Sequence, residues 1–199
     1  IIIVVAPGFA LSPRFVGGIA VGYGREVTEV GANGTENVAS AISGALYGSY
    51  KAADNFFIDG LLGYGRLDMD STRYVTDTGA FAAGQRDGQQ LFASLTAAYE
   101  HRSDSWLLSP YARLDAAWSR LNGFTESGAG AYNLVYGAQD INSLAGVLGL
   151  RAEYTIPMGW GVLKPRARVE YTHDFAGASV ARLGYASLAN GLPFGVDIA

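Results

Sequence analysis

The chain has 199 residues, 49% of them hydrophobic and only 16% charged, against roughly 25% charged in average soluble domains. A formal charge of -4 and a pI near 5.1 argue against nucleic acid as a partner. Zero cysteines exclude a disulfide scaffold and a cysteine-ligated metal. No run approaches the ~18 apolar residues of a membrane-spanning helix; the longest, Ile1 to Ala6, lacks both the length and the basic start of a signal peptide.

Seven segments split by parity into an apolar and a polar or small face, which only extended strands do. Phe15 to Tyr23 sets Phe15, Ile19, Val21 and Tyr23 against glycines and Ala20. In Val38 to Tyr50, Val38, Ile42, Leu46 and Tyr50 oppose alanines and serines. Phe56 to Leu67 opposes Phe56, Ile58, Leu62 and Tyr64 to Asp59, Gly63 and Gly65. Gln89 to His101 opposes Leu91, Leu95 and Tyr99 to Gln90, Ser94, Thr96 and Glu100. In Trp106 to Arg120, Trp106, Leu108, Leu114 and Trp118 oppose Ser109, Tyr111, Arg113 and Asp115. Leu148 to Ile156 opposes Leu148, Leu150 and Tyr154 to Arg151 and Glu153. Finally, Gly161 to Phe175 carries Leu163, Val169, Tyr171 and Phe175 on one face and Lys164, Arg166, Arg168 and Glu170 on the other. Leu61 and Phe92 fall on the polar face, which suits a locally packed interior.

Such segments repeated along the chain predict an all-β, antiparallel, up-and-down transmembrane β-barrel with lipid outside and a charged lumen inside. Hydrocarbon offers no partner for unpaired backbone groups, so a sheet in a bilayer has to close. Links alternate in predicted length. Short ones lie at Ser12-Pro13, Ala53 to Asn55, Ser103-Asp104 and Pro157 to Gly159. Longer polar ones run over Glu29 to Glu36, Met69 to Gln85, Asn122 to Asp140 and from Ala176 onward. In bacterial barrels short turns are periplasmic and long loops external, so Ser103-Asp104 is expected on the periplasmic side and Asn122 to Asp140 outside.

Trp106 and Trp118 share a face 12 residues apart, a vertical separation of roughly 28 Å at ~3.3 Å per residue and a 45° tilt. Phe56, Tyr64, Tyr154, Tyr171 and Phe175 also sit toward the ends of apolar runs. Aromatics favour strands in general, but their joint placement predicts interface girdles.

Several segments resemble, in order, the C-terminal translocator domain of autotransporters, the type V secretion proteins of Gram-negative bacteria. They are LSPRFVGGIAVGYG (Leu11 to Gly24), ALYGSY (Ala45 to Tyr50), FIDGLLGYG (Phe57 to Gly65), SPYARLDAAWSRLNGFTESGAGAYNL (Ser109 to Leu134), LGLRAEYTIP (Leu148 to Pro157) and LKPRARVEYTHDF (Leu163 to Phe175). The resemblance implies a twelve-stranded barrel with a helix threading its lumen. It also implies anchoring in the outer-membrane lipid and help in exporting an N-terminal passenger polypeptide to the cell surface. Members normally end in a strand whose terminal aromatic is read by the barrel-assembly machinery; this chain ends Asp197-Ile198-Ala199. Seven strands plus a partial one at each end, Ile1 to Phe9 and within 176–199, make about seven to nine of a probable twelve. The expectation is therefore one domain over 1–199 that is an internal piece of a translocator or a shortened relative.

Parity assigns Asp59, Thr96, Glu100, Tyr111, Arg113, Asp115, Arg151, Glu153, Lys164, Arg166, Arg168 and Glu170 to the lumen, because a charge facing lipid at mid-depth costs about 2 to 4 kcal/mol. Such a ladder either keeps a pore wet for a polar segment or simply fills the interior with satisfied charges. Arg66, Arg73, Arg86 and Arg120 lie at strand ends or in links, where solvation is the ordinary explanation. The only histidines, His101 and His173, fall on the apolar parity, so no catalytic site is predicted. Gly22-Tyr23-Gly24 and Gly63-Tyr64-Gly65 lie inside strands with no following helix, unlike a nucleotide loop. No metal-ligand spacing is present, and no cofactor is implied. Two further readings stand beside the translocator: an outer-membrane structural, adhesive or porin-like barrel whose loops bind something outside, and a soluble ligand-binding barrel with its apolar faces inward.

Overall fold

A computed structural model describes residues 1–188 and 194–198, with side chains over 1–188. The first elements are β1 (Ile2–Val5), β2 (Gly8–Ser12), β3 (Phe15–Val30), β4 (Thr35–Ala53), β5 (Phe56–Val75), β6 (Ala80–Tyr99), β7 (His101–Arg102) and β8 (Trp106–Leu121). After these come β9 (Phe124–Thr125), a 3-10 turn at Gly130–Tyr132, β10 (Leu134–Tyr136), β11 (Gln139–Tyr154), β12 (Ile156–Met158), β13 (Gly161–Leu163), β14 (Arg166–Asp174), β15 (Ser179–Tyr185) and β16 (Phe194–Ile198). No helix among the described residues is long and apolar enough to cross a membrane.

The main sheet is an antiparallel meander in the order β1-β3-β4-β5-β6-β8-β11-β14. β2 continues the β1 edge along β3, and β7 continues β6 along β8. That makes eight positions: the seven expected strands and Ile1 to Phe9, whose partial strand is divided at Ala6-Pro7 between β1 and β2. β1 and β14 do not pair with each other among the described residues, so the sheet is open there. The partial strand expected within 176–199 pairs elsewhere. β15 and β16 join β10 and β9 in a separate four-stranded sheet; residues 189–193 and 199 lie outside the described part.

Two expected loops turn out to be strand. β5 and β6 stay in register from Phe56↔Tyr99 to Val75↔Ala80, so the link expected over Met69 to Gln85 is a turn at 76–79 in which Gly79 takes a φ of 68°. Likewise β3 and β4 pair out to Val30↔Thr35, leaving a turn closed by Gly31 and Gly34 at φ 71° and 78°. Positive φ suits glycine, which has no Cβ to clash. Twenty-residue strands extend about 66 Å, far more than the 9–11 residues a bilayer needs. In a barrel crossing a membrane the extra length would project beyond the bilayer, where water wets both faces. Asp68 and Asp70 point one way and Ser71 and Arg73 the other, so alternation disappears while the ladder continues.

The link expected over Asn122 to Asp140 is also folded. Arg73 Nε and Nη2 donate to Glu126 Oε1 and Oε2 at 3.1 and 2.6 Å, and Arg73 Nη2 donates to the Tyr132 carbonyl at 2.9 Å. The Leu134 amide donates to Glu126 Oε2 at 2.9 Å, and the Glu126 side chain is only 2% exposed. Arg86 Nε donates to the Asn122 carbonyl at 2.8 Å, and Phe124 stacks on Tyr136 with ring centroids 4.6 Å apart. Arg73 and Arg86 therefore tie the cap to β5 and β6, correcting the expectation of solvated strand-end arginines. The Glu126 carboxylate holds the Arg73 guanidinium above its usual pKa, while burial pushes the Tyr136 phenol up.

Candidate functional site

Register turns parity into rows. Across β6, β8, β11 and β14 one row reads Thr96, Arg113, Val147, Thr172, and the next Ala98, Tyr111, Gly149, Glu170. Further along, Ser109, Arg151 and Arg168 share a row, as do Leu107, Glu153 and Arg166. All of these lie on one face.

Two charge clusters form there. In the first, Arg113 Nε bonds Asp115 Oδ2 at 2.8 Å, and the Ser94 hydroxyl donates to Asp115 Oδ1 at 2.6 Å. Arg113 Nη1 lies 3.5 Å from Glu170 Oε1, and Arg168 Nε lies 3.8 Å from Glu170 Oε2. The Tyr111 hydroxyl donates to Glu170, and the Arg151 guanidinium sits 4.6 Å over the Tyr111 ring, a favourable cation–π placement. Tyr111 reaches a strand two positions away because Gly149 stands between: a Cβ there would overlap its ring. In the second cluster Glu153 accepts from Arg166 Nε at 2.7 Å and lies 3.3 Å from Lys164 Nζ.

The remaining polar-face residues stand apart. Glu100 pairs with Arg102 at 3.3 Å near the short turns. Asp59 and Thr96 face each other across β5 and β6, with no side-chain hydrogen bond or ion pair among the described residues. The sequence reading missed Ser94 and Arg102 as partners, and it missed the glycine seats. Phe92 lies over Gly63 as Tyr111 lies over Gly149, and Tyr47 covers Gly18, so the exceptional Phe92 fills a gap its neighbour leaves.

The opposite face is apolar and open. Leu114, Leu150 and Val169 are 48%, 46% and 74% exposed, whereas Arg113 and Glu170 are 28% and 24% exposed. Contiguous exposed apolar area on this scale marks a surface made for another phase. Phe56, Tyr64, Trp106, Trp118, Tyr171 and Phe175 are exposed on this face, and Tyr154 packs on Trp106 at 4.5 Å between centroids. Trp118 pairs with Asn142 and Trp106 with Tyr154. Tyr171 pairs with Leu148, midway between those two rows, so its register is mid-strand and not that of a strand end. Among the described residues no group of three or more His, Asp or Glu could hold a metal ion.

The family model "Autotransporter beta-domain" matches residues 6–199. The translocator domain of autotransporter NalP from Neisseria meningitidis superimposes with a TM-score of 0.72 at 22% identity, over 92% of this chain and 66% of that one. The beta domain of the Bordetella autotransporter BrkA gives 0.63 at 19% identity, over 92% of this chain and 80% of that one. This chain thus spans just under two thirds of the NalP domain. No curated protein matches it. At these identities the structural likeness speaks for the fold, and the match over residues 6–199 speaks for the family. The chain belongs to the autotransporter β-domain family, whose barrels sit in the outer membrane of Gram-negative bacteria.

Proposed function

We propose that this chain is wall of a translocator barrel that anchors an N-terminal passenger polypeptide in the outer membrane and helps carry it to the cell surface. The single observation that carries the reading is the division of one sheet into an exposed apolar face and a face of ion pairs within and between strands. The soluble alternative needs the apolar residues inside, and away from the open β14 edge Leu114 is 48% exposed where its neighbour Arg113 is 28%.

In this reading Tyr111, Arg113, Asp115, Arg151, Glu153, Lys164, Arg166, Arg168 and Glu170 line an aqueous bore, with Asp59, Thr96 and Glu100 completing its polar surface. Phe56, Tyr64, Trp106, Trp118, Tyr154 and Phe175 mark the headgroup levels, and Tyr171 extends the lipid face between them. The elaborated cap faces outside and the short turns face the periplasm. The open edges at β1 and β14 have to be paired within a membrane, since exposed ladder groups are costly in hydrocarbon. Insertion is the work of the barrel-assembly machinery.

Protein refolded into planar bilayers tests this. The expected result is heat-modifiable gel mobility and ion conductance, with Arg113→Leu and Arg166→Leu each shifting the reversal potential toward cations while leaving insertion intact. A chain that needs no detergent and forms no channel overturns the proposal, and unchanged reversal potentials in both variants remove these side chains from the bore.

A further inference from the structure

One group of charges lies on the wrong face for a lumen. Arg66 and Arg120 have the parity of Tyr64 and Trp118, so they project from the outward side of the sheet. Register places Arg66, Gln89 and Arg120 side by side on β5, β6 and β8, one strand spacing apart. The arginine backbones are therefore about 9.6 Å apart, and both side chains border one shallow cleft with Tyr64 and Gln89 on its ring side and Asp68 and Asp87 on the other.

The order along the strands on this face is stratified. First comes Tyr64, Leu91 and Trp118, then Arg66, Gln89 and Arg120, and then Asp68, Asp87 and Asn122. Ring, cation and carboxylate thus follow one another in steps of two residues, about 6.6 Å each. A leaflet presents the same succession from the other side: acyl chain, phosphate, water. Asp68 and Asp87 stand on the water side of the cations and Asp140 lies in the cation row beside Arg120, so the bilayer side is left free of carboxylate.

The cations are also poorly neutralised. Arg66 makes no hydrogen bond or ion pair among the described residues. Arg120 has only Asp140 at 3.9 Å, with both side chains more than 60% exposed. By contrast, the lumen arginines Arg113 and Arg166 hold carboxylates at 2.8 and 2.7 Å. Gln89 is fixed by the Tyr64 hydroxyl, which donates to its Oε1 at 2.9 Å, so its amide N–H groups remain to donate. Two guanidinium forks with an amide between them match the oxygens of a phosphoryl group, which arginine binds bidentately. At the opposite end of β8 the residues beside Trp106 on this face are Leu108 and Tyr154, neither of them cationic.

We propose that Arg66, Gln89 and Arg120, seated on the Tyr64–Trp118 row, form a binding site for the anionic phosphate headgroup of a membrane lipid. The site holds the barrel at a fixed height: the rings stop it from rising, and the phosphate contacts stop it from sinking. The inference rests on the outward face lying in lipid, and the experiment reads that premise separately.

The full chain carrying Trp106→Phe and Trp160→Phe, so that Trp118 is its sole tryptophan and is excited selectively, is refolded into phosphatidylcholine vesicles containing a minor share of phosphatidic acid. Either lipid is brominated in turn. Quenching gives the relative binding constant of phosphatidic acid over phosphatidylcholine beside Trp118. The expected preference is about fivefold or more, the strength of one arginine at a membrane surface. It should fall to parity in Arg66→Gln/Arg120→Gln, and should be largely kept in Arg66→Lys/Arg120→Lys. With Trp118→Phe and Trp160→Phe instead, Trp106 should show parity. Inorganic phosphate added at constant ionic strength should leave the preference unchanged. Parity at Trp118, or a preference that survives the glutamine pair, overturns the site. Loss of preference to inorganic phosphate reassigns it to a dissolved anion and overturns the lipid. If neither brominated lipid quenches Trp118, the membrane placement of this face falls with it.

Discussion

Leu148 offers the sharpest test of which phase the outward face meets. It pairs with Ala112, six residues along β11 from the Trp118↔Asn142 row and six from the Trp106↔Tyr154 row. At ~3.3 Å per residue and a 45° tilt, that is about 14 Å from either ring level, the centre of the apolar layer. Its side chain is 63% exposed, so a substitution changes solvation and not packing. Leu148→Arg should then cost the full midplane penalty of about 2 to 4 kcal/mol, whereas Asn142→Arg, at the ring level, should cost about 0 to 1 kcal/mol. Leu144→Arg lies between them in depth and should lie between them in cost. With a urea m-value of about 2 kcal/mol/M, the midpoint for folding into vesicles should drop by roughly 1 to 2 M for Leu148→Arg. Heat-modifiable gel mobility reads the folded fraction. Equal costs at 142 and 148, or none at 148, would refute the placement of this face against acyl chains, because an arginine on a water-exposed strand face is close to neutral.

Gly149→Val should destabilise by about 1 to 3 kcal/mol through overpacking against the Tyr111 ring; adding Tyr111→Ala should recover part of that loss in the same titration, and strict additivity would show that the ring does not sit there. Glu126→Ala leaves Arg73 and the Leu134 amide without their shared acceptor, a local cost of about 1 to 3 kcal/mol. Proteolysis within 122–138 should accelerate while barrel mobility on gels stays native. The Tyr136 phenol is raised by burial, so the folded cap favours its neutral form. Its contribution is complete below about pH 10 and is lost as pH climbs toward the raised value. Alkaline proteolysis of the cap should thus steepen above pH 10, and Tyr136→Phe should flatten that rise.

Inside the bilayer the sequence was legible because each strand face meets a different phase. From Trp106 to Trp118, and from Leu163 to Phe175, alternate residues obey one rule with Leu107 and His173 as exceptions, and the rows of Arg113, Arg151 and Arg168 emerged as parity assigns them. Beyond the bilayer the rule has nothing to act on. Asp68 and Arg73 are both compatible with water, so the outer thirds of β5 and β6 read as a loop although their ladder is unbroken. Long-range pairings were illegible for another reason: Arg73 and Glu126 are 53 residues apart. Gly149 looked like one more small residue on a polar face until register set it under Tyr111.

The same register bears on how a bore can be charged without being sticky. The first lumen cluster joins Arg113, Arg151 and Arg168 to Asp115 and Glu170, and the second joins Lys164 and Arg166 to Glu153. Each cluster interleaves cation and carboxylate, within a strand at Arg113–Asp115 and Arg168–Glu170 and across strands at Arg113–Glu170 and Arg166–Glu153, so most of the charge is neutralised locally and each cluster keeps one more cation than carboxylate. A passing polar chain meets water and local dipoles, and breaking an Arg113–Asp115 contact of 2.8 Å to bind a transient group would exchange one ion pair for another at no gain. On the outward side Arg120 has Asp140 directly across the ladder at 3.9 Å, and Arg66 has no ion pair among the described residues.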